Sequence, residues 1–153
     1  MTGRNIVVAS WATLALYTVI AAPNQLGLSV FEDPAAVVSL ALFFLSLIVW
    51  VYAFGKVLVR STRGDDIAVA SWVFLMGSAP KDVRRHLLGA TAAACVIAFA
   101  TAWANPFGVL VPMLQLGLAA LWGARYGVFP QRKIIAGRPV RPTRTSGSSG
   151  GQR

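Results

Sequence analysis

The sequence is poor in charged residues, and acidic residues are the scarcest. Only 12% of its 153 residues are charged, against roughly 25% in an ordinary soluble domain. Five residues are acidic, and none of them lies within a long apolar stretch. This distribution argues against proton-coupled carriers such as the small multidrug transporters, which generally need a carboxylate inside the membrane.

Residues that bind metals or act as nucleophiles are also scarce. Cys95 is the only cysteine and His86 the only histidine, which excludes an intramolecular disulfide and a bis-histidine haem site. We expect Cys95 to pack as a small hydrophobe and His86 to be solvated at the membrane edge. No phosphate-binding glycine-rich loop, CxxC or HExxH motif is present. The sequence therefore predicts no catalytic residue, no cofactor and no metal site, and a protein that is not an enzyme.

Apolar residues make up 56% of the chain and are concentrated in four long segments. These segments cover about 6–22, 35–59, 87–104 and 107–124. Eighteen helical residues are about 27 Å long, which matches the hydrocarbon core of roughly 30 Å with little tilt. A spanning chain must satisfy its own backbone hydrogen bonds, and no segment alternates as a barrel strand would. We therefore predict an all-α polytopic membrane protein with four transmembrane helices.

The first apolar segment follows Arg4, as the core of a signal peptide would follow its basic residue. It is longer than the usual signal core of about 7–15 residues, and three more spans follow it. We expect a retained signal-anchor helix, with a cleaved signal peptide as the alternative.

The positions of lysine and arginine predict how the chain is oriented. All 14 basic residues fall on one side of the membrane if there are four spans with both termini on that side. The segment 23–34 contains no basic residue, whereas the loop 60–86 contains five and the stretch 125–153 contains seven. Because cytoplasmic loops carry the excess of lysine and arginine, we predict a multi-pass protein of the bacterial plasma membrane with both termini cytoplasmic.

Small residues recur four apart in the third and fourth segments, a spacing that lets helices approach closely. The short turn around "ANPFG" makes these two segments an antiparallel hairpin. Homodimerisation through the same face is the alternative. The residues expected to pack between helices are Gly89, Ala93, Ala94, Ala98, Ala119 and Gly123.

Two residues interrupt the fourth segment. We expect Pro112 to kink the helix or to leave a carbonyl oxygen free near mid-membrane. Gln115 is the only amide side chain within any predicted span. We expect it to donate a hydrogen bond to a neighbouring helix, with contact to a transported substrate as the alternative.

The loop between the second and third spans contains an apolar run, "IAVASWVFLMG", at 67–77. It is too short to cross a bilayer, which takes about 20 residues. We predict a short helix at about 66–77 on the cytoplasmic side, begun by Asp65 and Asp66 and ended by Gly77. It lacks the polar face of an ordinary interfacial helix, so interfacial, re-entrant and partner-bound positions all stay open. The residues expected to dock onto a partner are Trp72, Phe74 and Met76.

Basic side chains at the membrane edge are expected to contact anionic lipid headgroups, at about 1 kcal/mol each. These residues are Lys81, Arg84, Arg85, Arg125, Arg132 and Lys133. The tail 134–153 is rich in Gly, Ser, Pro and Arg, and we expect it to be disordered and tethered to headgroups rather than bound to nucleic acid. The transmembrane domain is accordingly predicted at 1–133.

Three stretches, "FLMGSAPKDVRRHLLGA", "VLVPML" and "LWGARYGVFPQR", resemble small conserved four-span membrane proteins of actinobacteria whose function is not known. The resemblance covers about 55–133 and brings neither an activity nor catalytic residues. The excess of arginine over lysine fits a GC-rich genome of this kind.

From these observations we expect a non-enzymatic accessory or scaffolding subunit of a larger membrane complex. Its partners would be the lipid bilayer and either a membrane protein or further copies of the chain. The alternative is a small oligomeric transporter or channel, with Gln115 and the break at Pro112 lining the path.

Overall fold

The computed structural model describes residues 3–26 and 29–131, and this part of the chain is all-helical. The α-helices are α1 (Arg4–Gln25), α2 (Glu32–Thr62), α3 (Val69–Trp72), α4 (Lys81–Thr101) and α5 (Pro112–Tyr126). Short 3₁₀ helices lie at Ser29–Phe31 and Pro106–Leu110. Four segments are long and apolar enough to cross a membrane: Arg4–Pro23, Glu32–Thr62, Lys81–Thr101 and Pro106–Tyr126. The predicted all-α fold with four spans is confirmed, whereas the predicted disorder of 134–153 lies outside the described residues.

Contacts between helix ends show which ends lie together. Asn105, just after α4, donates a hydrogen bond to the carbonyl oxygen of Ala35 at the start of α2. At the other end of the bundle, Arg60 in the last turn of α2 donates to the carbonyl oxygen of Ala124 in α5. The starts of α1 and α4 and the ends of α2 and α5 lie at this second end. We call it the basic end, because seven of the eight described basic residues lie there. The eighth, Lys56, lies one turn before Arg60 in α2. The seven are Arg4, Arg60, Arg63, Lys81, Arg84, Arg85 and Arg125.

Helix α5 is the centre of the bundle. In its span 61% of the most apolar 18-residue stretch is buried, against 22% to 28% of the corresponding stretch in each of the other three spans. The Trp50 indole of α2 donates a hydrogen bond to the carbonyl oxygen of Met113 in α5, at 3.1 Å. A Cβ atom on Gly117 would lie 3.0 Å from the Trp50 Nε1 atom. The glycine therefore allows this indole to pack closely against α5.

Interhelical hydrogen bonds also join the helices away from the basic end. The Tyr17 hydroxyl of α1 lies 3.0 Å from the Thr101 hydroxyl of α4. The Asn105 amide donates to the Ser39 hydroxyl of α2 at 2.9 Å, and its side-chain oxygen accepts from the backbone N–H of Phe107. Such bonds average only about 0.6 kcal/mol in a membrane protein, but they fix which helix faces meet.

Pro112 lies at the start of an α-helix and not within one, so neither predicted consequence arises: no helix is interrupted, and the carbonyl oxygen of Gly108, four residues earlier, accepts from the N–H of Val111. The fourth span consists of the 3₁₀ helix Pro106–Leu110 followed by α5, and Pro112 is the first residue of α5. Proline is favoured at this position because its missing N–H would have no partner within the helix anyway. The backbone therefore changes from a 3₁₀ helix to an α-helix at Val111, and the missing N–H of Pro112 costs no hydrogen bond within α5.

The small residues of α4 and α5 do not form one continuous seam. Ala94 is buried against Leu14 of α1, and Ala93 packs beside them. Ala119 of α5 packs instead with Leu87 of α4. Ala98 is buried as well, and Gly123 faces the loop described below. Ala93 and Ala94 of α4 thus serve the contact with α1.

Gly89 lies outside this packing. It is exposed, and a Cβ atom added to it would meet nothing within 4 Å. The prediction that Gly89 packs between helices of this bundle was therefore wrong. The spacing misled because it places small residues on more than one side of the helix.

Candidate functional site

The loop between α2 and α4 folds back against the basic end of the bundle. Residues 64–80, together with the extended segment 127–131 that follows α5, form a layer that we call the cap. The backbone N–H of Asp66 donates to the carbonyl oxygen of Pro130 at 2.8 Å. Two further backbone contacts join the same segments, a hydrogen bond from Val128 to Ser78 and an isolated bridge between Asp65 and Gln131. The two parts of the cap therefore hold each other in place.

The helix within the cap is much shorter than the sequence predicts. It covers only Val69–Trp72, not 66–77, and Asp65 and Asp66 do not begin it. Beyond it, Leu75 and Gly77 have positive φ angles of 56° and 73°. Left-handed conformations of this kind end a helix and reverse the chain. The apolar run is therefore a short helix followed by a reversal of the chain, and not a continuous helix.

Trp72 lies inside the bundle, between α2 and α5. It is buried, and its indole N–H donates to the carbonyl oxygen of Ala120 at 2.8 Å. Its ring centroid lies 6.0 Å from those of Trp50 and Phe54 on α2. Ala120 precedes the end of α5 by six residues, so the cap reaches about 9 Å below that end. The prediction that Trp72 docks onto a partner was wrong, because its surface is used within the chain.

Gly123 on α5 makes room for this turn. A Cβ atom on Gly123 would overlap the carbonyl oxygen of Trp72 and lie 3.0 Å from the Leu75 side chain. Leu75 has no exposed surface and packs among residues of α4 and α5. Its positive φ is unusual for a branched apolar residue and costs conformational energy. Burial of the Leu75 side chain compensates for this strained backbone.

Arg60 connects α2, α5 and the cap, and the sequence analysis did not single it out. Its Nε donates to the Asp65 carboxylate at 2.9 Å, and one Nη donates to the carbonyl oxygen of Gly127 at 2.9 Å. The guanidinium also lies 4.8 Å from the Phe129 ring centroid. A guanidinium holds five N–H donors in a fixed plane, whereas a lysine ammonium has three donors at a single point. The signal in the sequence was an arginine in the last turn of a span with an acid five residues later.

Large apolar side chains are exposed on the outer surface of the cap. Phe74 and Met76 are 44% and 50% exposed, although they flank the fully buried Leu75. Val128, in the other part of the cap, is 75% exposed. The structure therefore separates the three predicted docking residues: Trp72 holds the cap in the bundle, and Phe74 and Met76 point away from it.

Gln115 lies in the interior, between α5 and α1. Its amide nitrogen donates to the Thr13 hydroxyl at 3.0 Å and to the carbonyl oxygen of Ser10 at 3.2 Å. Its side-chain oxygen accepts from the Ser10 hydroxyl at 2.6 Å. With no exposed surface, Gln115 has both amide hydrogens and its oxygen occupied by α1. The arrangement binds two helices together.

The six residues predicted to contact anionic lipid separate into groups. Lys81, Arg84 and Arg85 line one groove of about 600 Å³ together with Leu88 and Gly89. We call this groove the trough. Arg125 is exposed on α5 near the ring of Tyr126, and Arg132 and Lys133 lie outside the described residues. The structure thus brings three of the six cations together.

Across residues 3–26 and 29–131, no three or more side chains of His, Cys, Asp or Glu are grouped so that they could hold a metal ion. Comparisons of the chain with protein-family models, curated proteins and solved structures find no match. Two features at the basic end, the cap and the trough, offer a surface to other molecules.

Proposed function

We propose that this chain is a non-enzymatic accessory or scaffolding subunit of a larger membrane complex, and that it docks a partner membrane protein through the cap. The observation that carries this proposal is that some side chains of the run 72–76 are buried in the bundle and others are exposed. Trp72 and Leu75 hold the run in the bundle, while Phe74 and Met76 present an apolar surface beside them.

The rigidity of the cap supports docking of a protein partner. The cap is joined to the bundle by the Trp72 indole and by the guanidinium of Arg60, and its two segments hydrogen-bond to each other. A surface that is already ordered loses little conformational entropy on binding. Aromatic residues and methionine are also enriched at protein interfaces. Phe74 and Met76 therefore fit a preformed contact surface.

The distribution of charge supports a multi-pass protein of the bacterial plasma membrane with the basic end in the cytoplasm. Seven described basic residues lie at that end, whereas Glu32 and Asp33 begin α2 at the opposite end. From the positive-inside rule we expect both termini and the cap to lie in the cytoplasm. A topology reporter fused after Gln25 should give an external signal. A cytoplasmic signal from that fusion would contradict this orientation.

The competing proposal of an oligomeric transporter requires Gln115 to line a path. Gln115 is fully buried, and its amide is bonded to Ser10 and Thr13. A path along Gln115 would require α1 to separate from α5 and three hydrogen bonds to break. The geometry therefore favours the accessory role.

Affinity purification in mild detergent with quantitative mass spectrometry tests the proposal. The double substitution Phe74→Ala with Met76→Ala should lower recovery of foreign subunits by about tenfold or more, because central apolar contacts dominate interface energies. The matched control is Phe44→Ala with Ile48→Ala, which removes exposed apolar surface from α2. Recovery of foreign subunits should be unchanged in this control.

Trp72→Ala is unsuitable as the docking variant because it would unseat the cap itself. Recovery of a homo-oligomer without foreign subunits would overturn the accessory role. Equal losses in the cap variant and the α2 control would show that the cap is not the docking surface.

A further inference from the structure

The trough combines positive charge at its mouth with an apolar floor. Lys81, Arg84 and Arg85 supply the charge, and Leu88 and Gly89 lie one turn further along α4. None of the three cations forms an ion pair with another described residue. Their charge is therefore available to an anion from outside the chain.

The floor of the trough leads into the membrane-spanning part of α4. Gly89 has open space where a side chain would stand, and Ala92 and Val96 are exposed further along the same helix face. From Arg85 to Val96 the helix rises about 16 Å, close to half of the roughly 30 Å hydrocarbon core. A ligand with its anionic group at Arg85 would thus have room for an acyl chain reaching the bilayer midplane.

A second groove, of about 360 Å³, borders the trough. It shares Arg85 and Gly89 with the trough and is also lined by Trp11, Asp82 and His86. The His86 ring lies edge-on to the Trp11 ring, 6.5 Å away. Because Asp82 would repel an anion, the phosphate belongs on the side of Lys81 and Arg84.

We propose that the trough is a specific binding site for an anionic phospholipid. The phosphate is held by Lys81, Arg84 and Arg85, and one acyl chain lies over Gly89 and Ala92 along α4. A lipid fits better than a soluble anion or an acidic peptide, because the cationic mouth continues into a lipid-facing helix surface. This site does not depend on the accessory role proposed above.

Native mass spectrometry of the full-length protein, released from nanodiscs of phosphatidylglycerol and phosphatidylethanolamine, tests the site. A single phosphatidylglycerol should stay bound to the protein after other lipids dissociate. The triple substitution Lys81→Gln, Arg84→Gln and Arg85→Gln should abolish this retention, with affinity lowered by roughly 100-fold. Retention of phosphatidylethanolamine and phosphatidylglycerol to the same extent would overturn the proposal.

A matched triple, Arg4→Gln, Arg63→Gln and Arg125→Gln, removes the same charge from exposed positions at the basic end outside the trough. It should keep the bound lipid. If it lost the lipid as fully as the trough triple, binding would be diffuse electrostatic attraction and the site would be excluded.

Gly89→Phe tests the floor without changing charge. Since Gly89 is exposed and nothing lies within 4 Å of its added Cβ, this variant should fold and should lose the retained phosphatidylglycerol. Unchanged retention would overturn the proposed path of the acyl chain. Displacement of the lipid by millimolar inorganic phosphate would likewise overturn it, because recognition would then need only the phosphate group.

Discussion

Helices α2 and α5 have opposite roles in the bundle. Helix α2 is the longest helix and has the highest mean hydropathy of the four spans. Only 22% of its most apolar 18-residue stretch is buried, however. Helix α5 has only 15 residues and lower mean hydropathy than α2, and its span is 61% buried. In a soluble protein the more apolar helix would be expected inside. Here the more apolar helix is the outer one.

The more apolar helix can lie outside because lipid, and not water, surrounds the bundle. Lipid tails are as apolar as leucine, so burial of leucine against another helix gains little. Close packing and interhelical hydrogen bonds favour association instead. Helix α5 supplies these through Gly117, Gly123 and Gln115, whereas the exposed face of α2 consists of large apolar side chains such as Phe44 and Ile48.

The glycines of the two helices should respond very differently to a larger side chain. Gly123→Leu on α5 should destabilise the protein by roughly 3 kcal/mol, because the new side chain meets the Trp72 carbonyl group and Leu75. Gly55→Leu on α2 should be neutral or mildly stabilising, since a Cβ there meets nothing within 4 Å and leucine favours helix.

The single Cys95, half-buried on α4, provides the measurement. Its reaction with a thiol-reactive dye during heating in detergent reports the unfolding midpoint. If both leucine variants unfolded at the same temperature as the unmodified protein, the close contact between α5 and the cap would be disproved.

Substitutions of polar side chains should show the same contrast between α5 and α2, with smaller changes in the free energy of unfolding. Gln115→Leu removes three hydrogen bonds between α5 and α1 and should cost about 1–2 kcal/mol. Ser46→Ala on α2 removes a hydroxyl that donates only to Phe43 of its own helix, and should cost less than about 0.5 kcal/mol. Chemical unfolding in mixed micelles measures both. A larger loss for Ser46→Ala would reverse the assignment of α5 as the connecting helix.

A smaller effect than that of Gln115→Leu is expected at Arg60, which joins α2 to α5 and the cap through a side chain that is 27% exposed. Arg60→Lys keeps the charge but loses the simultaneous contacts to Asp65 and Gly127, and should cost about 1 kcal/mol or less. Faster hydrogen exchange at the Asp66 and Val128 amides, which pair within the cap, would report the loosening.

Arg63→Lys is the control for this substitution, because Arg63 is exposed at the end of the same helix. Hydrogen exchange of the cap amides in the Arg63→Lys variant should match that in the unmodified protein. Equal protection in Arg60→Lys would show that the guanidinium does not hold the cap.

Much of the fold could be predicted because the signals are local. Long apolar segments identified four spans, and the absence of alternation identified them as helices. Gln115 was recognisable as a polar residue that needs a partner inside a span. Its partners Ser10 and Thr13 lie more than 100 residues away, and no local pattern names them.

The cap could be predicted only in part, for a related reason. The apolar run 67–77 stood out because it is too short to cross the membrane. The reversal at Leu75 could not be read from the sequence, since a leucine adopts positive φ only where burial of its side chain compensates. Gly89 and Gly123 likewise look alike in sequence, although one faces open space and the other faces the cap.

By itself, the sequence determined that the chain has four membrane-spanning helices, because the bilayer demands long apolar segments and internally bonded backbone. Tertiary structure alone decided that α5 is central and that Trp72 is an anchor and not a docking residue. Hydropathy distinguishes lipid from water, but it does not distinguish lipid from a neighbouring helix. That distinction depends on shape and on hydrogen-bond partners distant in the chain.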